Sequence, residues 1–228
     1  MSIFDVVFPK NCLECGEGGN YICGKCLKRV SLVKPICPEC GRPSVDGMTH
    51  FKCKHPLGLD GLTCLWEYQG VVRKAILALK YKFAHEIADE LSKAFVLQLN
   101  SHPTSYILLP TSVLVPIPLH WFRENFRGFN QSEEIGKRLV EKMGWKFISD
   151  LLVRKKVTTP QTELKRGERL GNVRGIFSLN TDHSQLITNY PQLVLFDDVY
   201  TTGATLKEAC KVLKRAGAAS VWGLTLAR

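Results

Sequence analysis

Apolar positions are distributed unevenly along the chain. The first sixty residues hold few large apolar side chains, and these show no sustained period. Periodic runs begin at "LTCLWEY", which reads as a strand. Residues 71–83 place Val72, Ala75, Ile76, Leu79 and Phe83 at helical spacing. A second helix is predicted over 84–99, with Ile87, Leu91, Ala94 and Phe95 on one face. From Val113 the pattern becomes strand, loop, helix, strand. "VLVPIP" (113–118) is a short apolar strand. "SEEIGKRLVEKMG" (132–144) is a helix with Ile135, Leu139 and Met143 inward and Gly144 as its stop. Asn130 or Ser132 caps it, and Glu133 and Glu134 lie in its first turn. "KFISDLLV" (146–153), "GIFSL" (175–179) and "QLVLF" (192–196) read as strands. "TLKEACKVLKRAG" (205–217) is a helix with Leu206, Ala209, Cys210 and Leu213 inward, and "SVWGLTLA" (220–227) closes the sheet.

Strands alternating with helices predict an α/β fold, a mostly parallel sheet flanked by helices. Such sheets bind ligands beyond the C-terminal ends of their strands. The turn-rich "HPLGLDG" (55–61) marks a boundary. It separates a small N-terminal domain, 1–58, from a larger one, 59–228, whose two lead-in helices cover about 70–100.

Composition narrows the class. With 228 residues, 45% hydrophobic and 23% charged, the chain has the profile of a soluble globular protein. Its longest apolar stretch, "YILLPTSVLVPIPL", is too short and too interrupted to span a bilayer. "MSIFDVVFPKNC" lacks a basic segment followed by an apolar one, so a cytoplasmic location is expected. The net charge of +10 favours an anionic partner, beside the simpler reading of solubility.

Eight of the nine cysteines lie in the first 64 residues. Cys12/Cys15, Cys23/Cys26 and Cys37/Cys40 have knuckle spacing, which lets two thiolates face one tetrahedral ion. Cys12, Cys15, Cys23 and Cys26 can close one site. Cys37 and Cys40 need two more ligands from His50, Cys53 and His55, and a crossed pairing satisfies the spacing equally well. A segment this poor in apolar groups needs metal to supply folding energy. With eight Lys/Arg against six Asp/Glu over residues 1–60, this segment is by itself weak evidence for nucleic-acid binding. Cys64, in the strand-like run, reads as a core residue and not a ligand.

"QLVLFDDVYTTGAT" (192–205) carries the chemistry. Asp197 and Asp198 end a buried strand, and Gly203 opens the following helix. A missing Cβ lets backbone N–H groups approach an anion, which the helix N-terminus favours. Thr201, Thr202 and Thr205 add hydroxyl donors. The aspartates repel phosphate, but they accept hydrogen bonds from sugar hydroxyls or act through a metal ion. A carboxylate pair beside a phosphate cradle describes a ribose 5-phosphate site. Neither GxxxxGK[ST] nor a strand-linked GxGxxG occurs, which argues against P-loop and dinucleotide-binding folds.

"VLFDDVYTTGAT" resembles the 5-phosphoribosyl-1-diphosphate (PRPP) signature of type I phosphoribosyltransferases. "VPIPLHWFRENFRGFNQS" (115–132) and "EYQGVVRKAILALKY" resemble segments of the ComF-like competence family, which also carries an N-terminal double zinc ribbon. The family's last cysteine pair reads here Cys53-Lys54-His55-Pro56. On that resemblance Zn2+ is held by Cys12, Cys15, Cys23, Cys26, Cys37, Cys40, Cys53 and His55, with His50 the competing candidate. It further implies that Asp197 and Asp198 hold the ribose hydroxyls. Val199, Tyr200, Thr201, Thr202, Gly203, Ala204 and Thr205 then line the PRPP site, the 5-phosphate loop starting at Tyr200. Pro118–Gly128 would be the pyrophosphate loop, with Arg123 and Arg127 its phosphate partners and Arg127 catalytic beside the aspartates.

Residues 154–175 match the family's mobile loop, and Lys165, Arg166 and Arg169 fall in it. Seven basic residues against two acidic ones place half of the chain's excess charge there. The implied chemistry is loss of pyrophosphate from C1 of PRPP, assisted by Mg2+, with the protein supplying positioning and electrostatics. The implied role is in natural competence: handling imported single-stranded DNA with a helicase partner. Salvage of a free base is the alternative, and it leaves the zinc ribbon without a purpose.

Overall fold

The computed structural model describes residues 10–79, 84–101, 111–119, 128–155 and 175–228. A short helix α1 (Gly24–Leu27) lies in the cysteine-rich segment. Then follow β1 (Gly61–Trp66), α2 (Gly70–Ala78), α3 (Ala84–Asn100), β2 (Val113–Pro116), α4 (Gln131–Met143) and β3 (Lys146–Phe147). The chain continues through β4 (Leu152–Arg154), β5 (Phe177–Leu179), a 3-10 segment (Thr181–Asn189), β6 (Leu193–Val199), α5 (Ala204–Arg215) and β7 (Val221–Ala227). Five strands form one sheet in the order β1-β7-β6-β2-β3, and every pair in it is parallel. This is the expected α/β architecture. No helix among the described residues is long and apolar enough to cross a membrane.

Alternation along β6 explains the two-sided core. Val194 and Phe196 face a layer built from α2, α3 and α4, where Trp66 packs edge-on against Phe95 at 5.6 Å. Leu193 and Leu195 face the layer built on α5, through Leu206, Ala209, Cys210 and Leu213. These are the inward residues expected from the helical period. Fully burying a side chain the size of Leu206 or Leu213 stabilises the fold by about 1.5–3 kcal/mol. β7 is buried along its whole length and lies inside the sheet, between β1 and β6. It does not close the sheet, as its place last in sequence suggests; the edges are β1 and β3.

Two expected strand assignments change. "KFISDLLV" is not one strand: Lys146–Phe147 extends the parallel sheet beside β2, while Leu152–Arg154 pairs antiparallel with β5. A bend at 149–151 separates the two pieces, so one apolar run serves two sheets. β6 also runs on past Phe196, so both aspartates lie within it. The first lead-in helix is described to Ala78 with Leu79 at its C-cap; Lys80, Lys82 and Phe83 lie outside the described residues. Gly144 ends α4 in the left-handed conformation, as its position predicts.

The cysteine-rich segment is built into both layers. Cys12, Ile22, Cys23, Cys26 and Val30 join the core on the α2–α3 side. Ile36, beside Cys37, joins the core on the α5 side. Ion pairs Lys10–Glu86 (3.1 Å) and Lys74–Glu14 (2.9 Å) tie the first half to α3 and α2. At the other seam Asp60 Oδ2 accepts from the Val221 amide and from Lys214 Nζ, both at 2.8 Å. The Asp60 carbonyl accepts from the Thr49 amide at 2.9 Å, so one residue joins the ribbon, β7 and the end of α5. Asp60→Ala leaves the Val221 amide and Lys214 without that oxygen and is expected to cost about 1–3 kcal/mol. Urea denaturation checks this: the midpoint falls while the slope stays unchanged.

Candidate functional site

Two groups of metal-ligating side chains assemble from the ribbon. Cys12, Cys15, Cys23 and Cys26 form one; Cys37, Cys40, His50 and Cys53 form the other. Within each group the candidate ligand atoms lie within 4.8 Å of one another. A tetrahedral zinc with sulfur ligands at about 2.3 Å has ligand–ligand edges of about 3.8 Å. Cys15 Sγ and Cys23 Sγ are 3.7 Å apart, and Cys40 Sγ lies 3.4 Å from His50 Nδ1. The donor sets therefore fit structural zinc, with four protein ligands and no open position. Pairing is sequential and not crossed.

The second cluster corrects the choice of histidine. His50 joins Cys37, Cys40 and Cys53 in place of His55, the expected fourth ligand. The 3-10 turn Phe51–Cys53 brings Cys53 back to His50, three residues earlier. His50 Nε2 lies 3.0 Å from the Pro43 carbonyl, so a proton on Nε2 leaves Nδ1 free as the ligand atom. His55 is turned away: its Nε2 lies 3.6 Å from Glu39 Oε2. Cys64 is in β1 and joins neither cluster.

Electrostatics agree with a bound cation. Burial acts against ionisation of Cys12, but the amides of Cys15, Cys23 and Glu14 outweigh it and bring the thiol down to about 6. Burial and the surrounding thiols push Cys26 up to about 12 and Cys53 up to about 11. Four crowded thiols cannot all ionise unaided, and a divalent cation removes that obstacle.

The carboxylate pair lies at the C-terminal edge of the parallel sheet. Asp197 and Asp198 are half-buried near the end of β6, followed by Val199. Asp197 Oδ1 accepts from Ser132 Oγ at 3.2 Å and from the Asp198 amide at 3.0 Å. Burial first, and then the charge of Asp198, push the Asp197 carboxyl up to about 8. The sequence offers Ser132 as a possible helix cap. Instead Asn130 caps α4, accepting from the Ser132 amide at 3.0 Å, and Ser132 reaches Asp197. Asn130 Nδ2 also donates to the Ile117 carbonyl at 3.1 Å, which closes the base of the loop between β2 and α4. Gly128 stands at the end of that loop with φ of +79°. Arg123 and Arg127, like Lys165, Arg166 and Arg169, lie outside the described residues.

Beyond the aspartates, Tyr200 is buried, Thr201 is exposed, and Thr202 and Thr205 are half-buried. Gly203 has φ of +74° and precedes Ala204, the first residue of α5. Here glycine is required twice: by that φ, and because a Cβ would collide with the ring and hydroxyl of Tyr200. The Ala204 amide donates to Thr202 Oγ1 at 3.4 Å. α5 has no acidic residue in its first turn, whereas α4 has Glu133 and Glu134 in its own. The positive end of the α5 dipole is thus not opposed by the helix's own side chains.

Tyr200 and α5 are also held to the second metal cluster. Tyr200 Oη donates to the Pro38 carbonyl at 3.0 Å. Lys207 Nζ donates to the Glu39 carbonyl and pairs with Glu39 Oε2, both at 3.2 Å. Pro38 and Glu39 lie between Cys37 and Cys40, so the metal knuckle grips the loop from behind. Glu39, Lys207 and His55 line a cavity of about 280 Å³ at this joint.

Two expectations follow. Between pH about 4 and about 8 the folded chain keeps the Asp197 proton that the unfolded chain has released, so stability falls as pH rises through that window. Asp197→Asn removes that loss, since its amide oxygen still accepts from Ser132. Its unfolding temperature should exceed the parent's at pH about 8, with the advantage shrinking toward pH about 4 in scanning calorimetry. Stripping metal from the second cluster should release Pro38 and Glu39 and raise amide hydrogen exchange over residues 200–207. Mass spectrometry reads this directly, and unchanged protection there would refute the coupling.

Residues 3–54 match the double zinc ribbon domain family. The DNA utilization protein YhgH of Escherichia coli is 31% identical over 215 residues, covering 92% of this chain and 90% of that protein. Competence protein F of Haemophilus influenzae is 29% identical over 231 residues, covering 96% and 98%. Competence protein ComFC of Bacillus subtilis is 30% identical over 217 residues, covering 91% and 83%. With a double zinc ribbon in front of the parallel sheet and likeness to these relatives over nearly its full length, the chain belongs to the ComF-like family of competence and DNA utilization proteins.

Proposed function

We propose that this chain binds PRPP at the end of β6 and acts in the uptake and processing of single-stranded DNA. The observation that carries the reading is the sequence of groups at one sheet edge. A carboxylate pair, Asp197 and Asp198, is followed closely by the left-handed Gly203 and a helix whose first turn has no acidic side chain. A sugar with two hydroxyls and a 5-phosphate matches that order, hydroxyls to the carboxylates and phosphate to the helix amides. The DNA role is supported by the names of the relatives, which are competence and DNA utilization proteins. The cytoplasm is the location this role fits.

In this reading the loop over Tyr200–Thr205 binds the phosphate through backbone N–H groups from Thr201 onward, the Tyr200 amide being held by the Ala227 carbonyl, while Asp197 and Asp198 orient the ribose. Ser132 fixes the Asp197 carboxylate so that one oxygen keeps its direction. On the family resemblance Arg123 and Arg127 are the partners assigned to the pyrophosphate, and Lys165, Arg166 and Arg169 belong to the basic segment assigned to exclude water from the reaction. As a phosphoribosyltransferase the site breaks the C1–O bond with its electron pair leaving on pyrophosphate, and an acceptor takes C1. Asp198, Asp197 once its proton is released, and a pyrophosphate together fit Mg2+, which would neutralise the leaving group's charge. No protein nucleophile is needed, because positioning and field supply the rate.

Calorimetry on the zinc-loaded protein tests the proposal. PRPP with Mg2+ should bind saturably, and Asp197→Asn/Asp198→Asn should weaken it at least about tenfold, or about 1.4 kcal/mol. Equal binding by that variant sinks the sugar-site reading. The DNA role is tested separately by titrating a single-stranded oligonucleotide at rising salt, where log affinity should fall linearly with log salt. A flat response counts against it.

A further inference from the structure

The zinc ribbon carries one feature that neither the fold nor the sugar site uses. Phe51 is 91% exposed, more than any other large hydrophobic side chain among the described residues. A phenyl ring left in water contributes nothing to the core, and a solitary one needs no explanation. This one is not placed at random. It opens the 3-10 turn Phe51–Cys53, directly after His50 and two residues before Cys53, both members of the second metal cluster. The Cys53 and Lys54 amides donate back to the His50 carbonyl at 2.8 and 3.1 Å, so the backbone under the ring is fixed. Phe51 also lines a hollow of about 530 Å³ with Arg42 and Lys52, and the metal ligands Cys40, His50 and Cys53 complete its lining. Arg42, Lys52 and Lys54 are all exposed. Over residues 40–55 the only acidic residue is Asp46, which is half-buried.

We propose that Phe51 is a stacking platform for an unpaired base and that Arg42, Lys52 and Lys54 take the flanking phosphates. The second metal turn is then a docking surface for single-stranded DNA. A rigid exposed aromatic among cations is the arrangement that binds single strands without regard to sequence, because every base offers a π face and every linkage a charge. A protein partner fits less well, since protein interfaces are depleted of lysine around their aromatic anchors. The metal ligands on both sides of Phe51 hold the backbone beneath the ring in place before binding, so only the side-chain torsions are left to order. The inference rests on the DNA reading above and assigns a surface to it.

The test uses the full-length zinc-loaded protein and a fluorescein-labelled oligothymidylate of about 20 nucleotides, read by anisotropy. Phe51→Ala should weaken binding about five- to tenfold and leave the salt slope unchanged, because stacking releases no counterions. Arg42→Ser/Lys52→Ser should weaken binding and reduce the slope by about 0.7 for each phosphate that is no longer neutralised. Phe51→Trp should keep the affinity, and the introduced indole should lose fluorescence as the oligonucleotide saturates. At so exposed a position none of the Phe51 variants should alter zinc content or PRPP binding, which calorimetry checks. The proposal is overturned if Phe51→Ala binds within about twofold of the parent, or if the indole is not quenched. If the parent protein binds no oligothymidylate, the DNA role falls with it; if only Phe51→Ala is silent, the role stands and this surface does not.

Discussion

The bond from the Tyr200 hydroxyl to the Pro38 carbonyl is the joint between the two halves of the molecule. On one side, Pro38 lies between Cys37 and Cys40, so metal coordination sets where its carbonyl points. On the other, Tyr200 stands between the carboxylate pair and Gly203. Burial pushes the Tyr200 hydroxyl up to about 12, so it remains a donor at any working pH. A buried hydroxyl without an acceptor is costly, and the Pro38 carbonyl removes that cost. The ring then fills the space where a Cβ at residue 203 would sit, which makes glycine obligatory there. The path runs from metal through knuckle and tyrosine to glycine and the start of α5. Lys207, held by Glu39, repeats the link further along the helix.

This joint explains how the sheet edge tolerates its charges. Burial, and then the like charge of Asp198, push the Asp197 carboxyl up to about 8 against the pull of Ser132, the Asp198 amide and Arg154. Such a pair persists only where the surrounding structure over-determines it. β6 is parallel-paired with β2 up to Phe196 and with β7 on through Asp197 and Val199. The Asp198 amide and Ser132 hold one carboxylate oxygen of Asp197. The strain is electrostatic, local and aimed at the sheet edge, where a ligand's hydroxyls or a cation would relieve it.

Much of this is legible in the sequence, for physical reasons. The parallel sheet, α3, α4 and α5 follow from apolar period, because each buries one clear face. The knuckles follow from spacing, because two intervening residues are what a tetrahedral ion allows. The features that escape a reading of the sequence share a cause: they depend on partners distant along the chain. "KFISDLLV" carries polar Ser149 and Asp150 where the bend falls, but only pairing with β2 and β5 shows that its two ends belong to different sheets. His50-x-x-Cys53 has knuckle spacing and Cys53-x-His55 is tighter, but spacing alone leaves both open; the turn at Phe51–Cys53 together with the Pro43 carbonyl decides for His50. Ser132 is visible in the sequence only as a cap candidate, since its hydrogen bond to Asp197 spans 65 residues. The partners of Tyr200 and Lys207 lie 162 and 168 residues away.

The ribbon is therefore no appendage. A metal-bound module joined only by a linker would keep its own small core and leave the sheet unchanged. Here Cys12, Ile22 and Val30 share one core layer with α2 and α3, while Ile36 shares the other with α5. Main-chain bridges Leu32–Trp66 and Met48–Gly61 lay ribbon backbone along β1, covering the outer edge of the sheet. An exposed parallel edge is an aggregation hazard, and the ribbon removes much of it. One element thus shields the edge, braces the loop behind the carboxylates and holds Phe51 outward on a metal-fixed turn. A phosphosugar site alone does not call for that third property, whereas a protein that handles a flexible polyanion does.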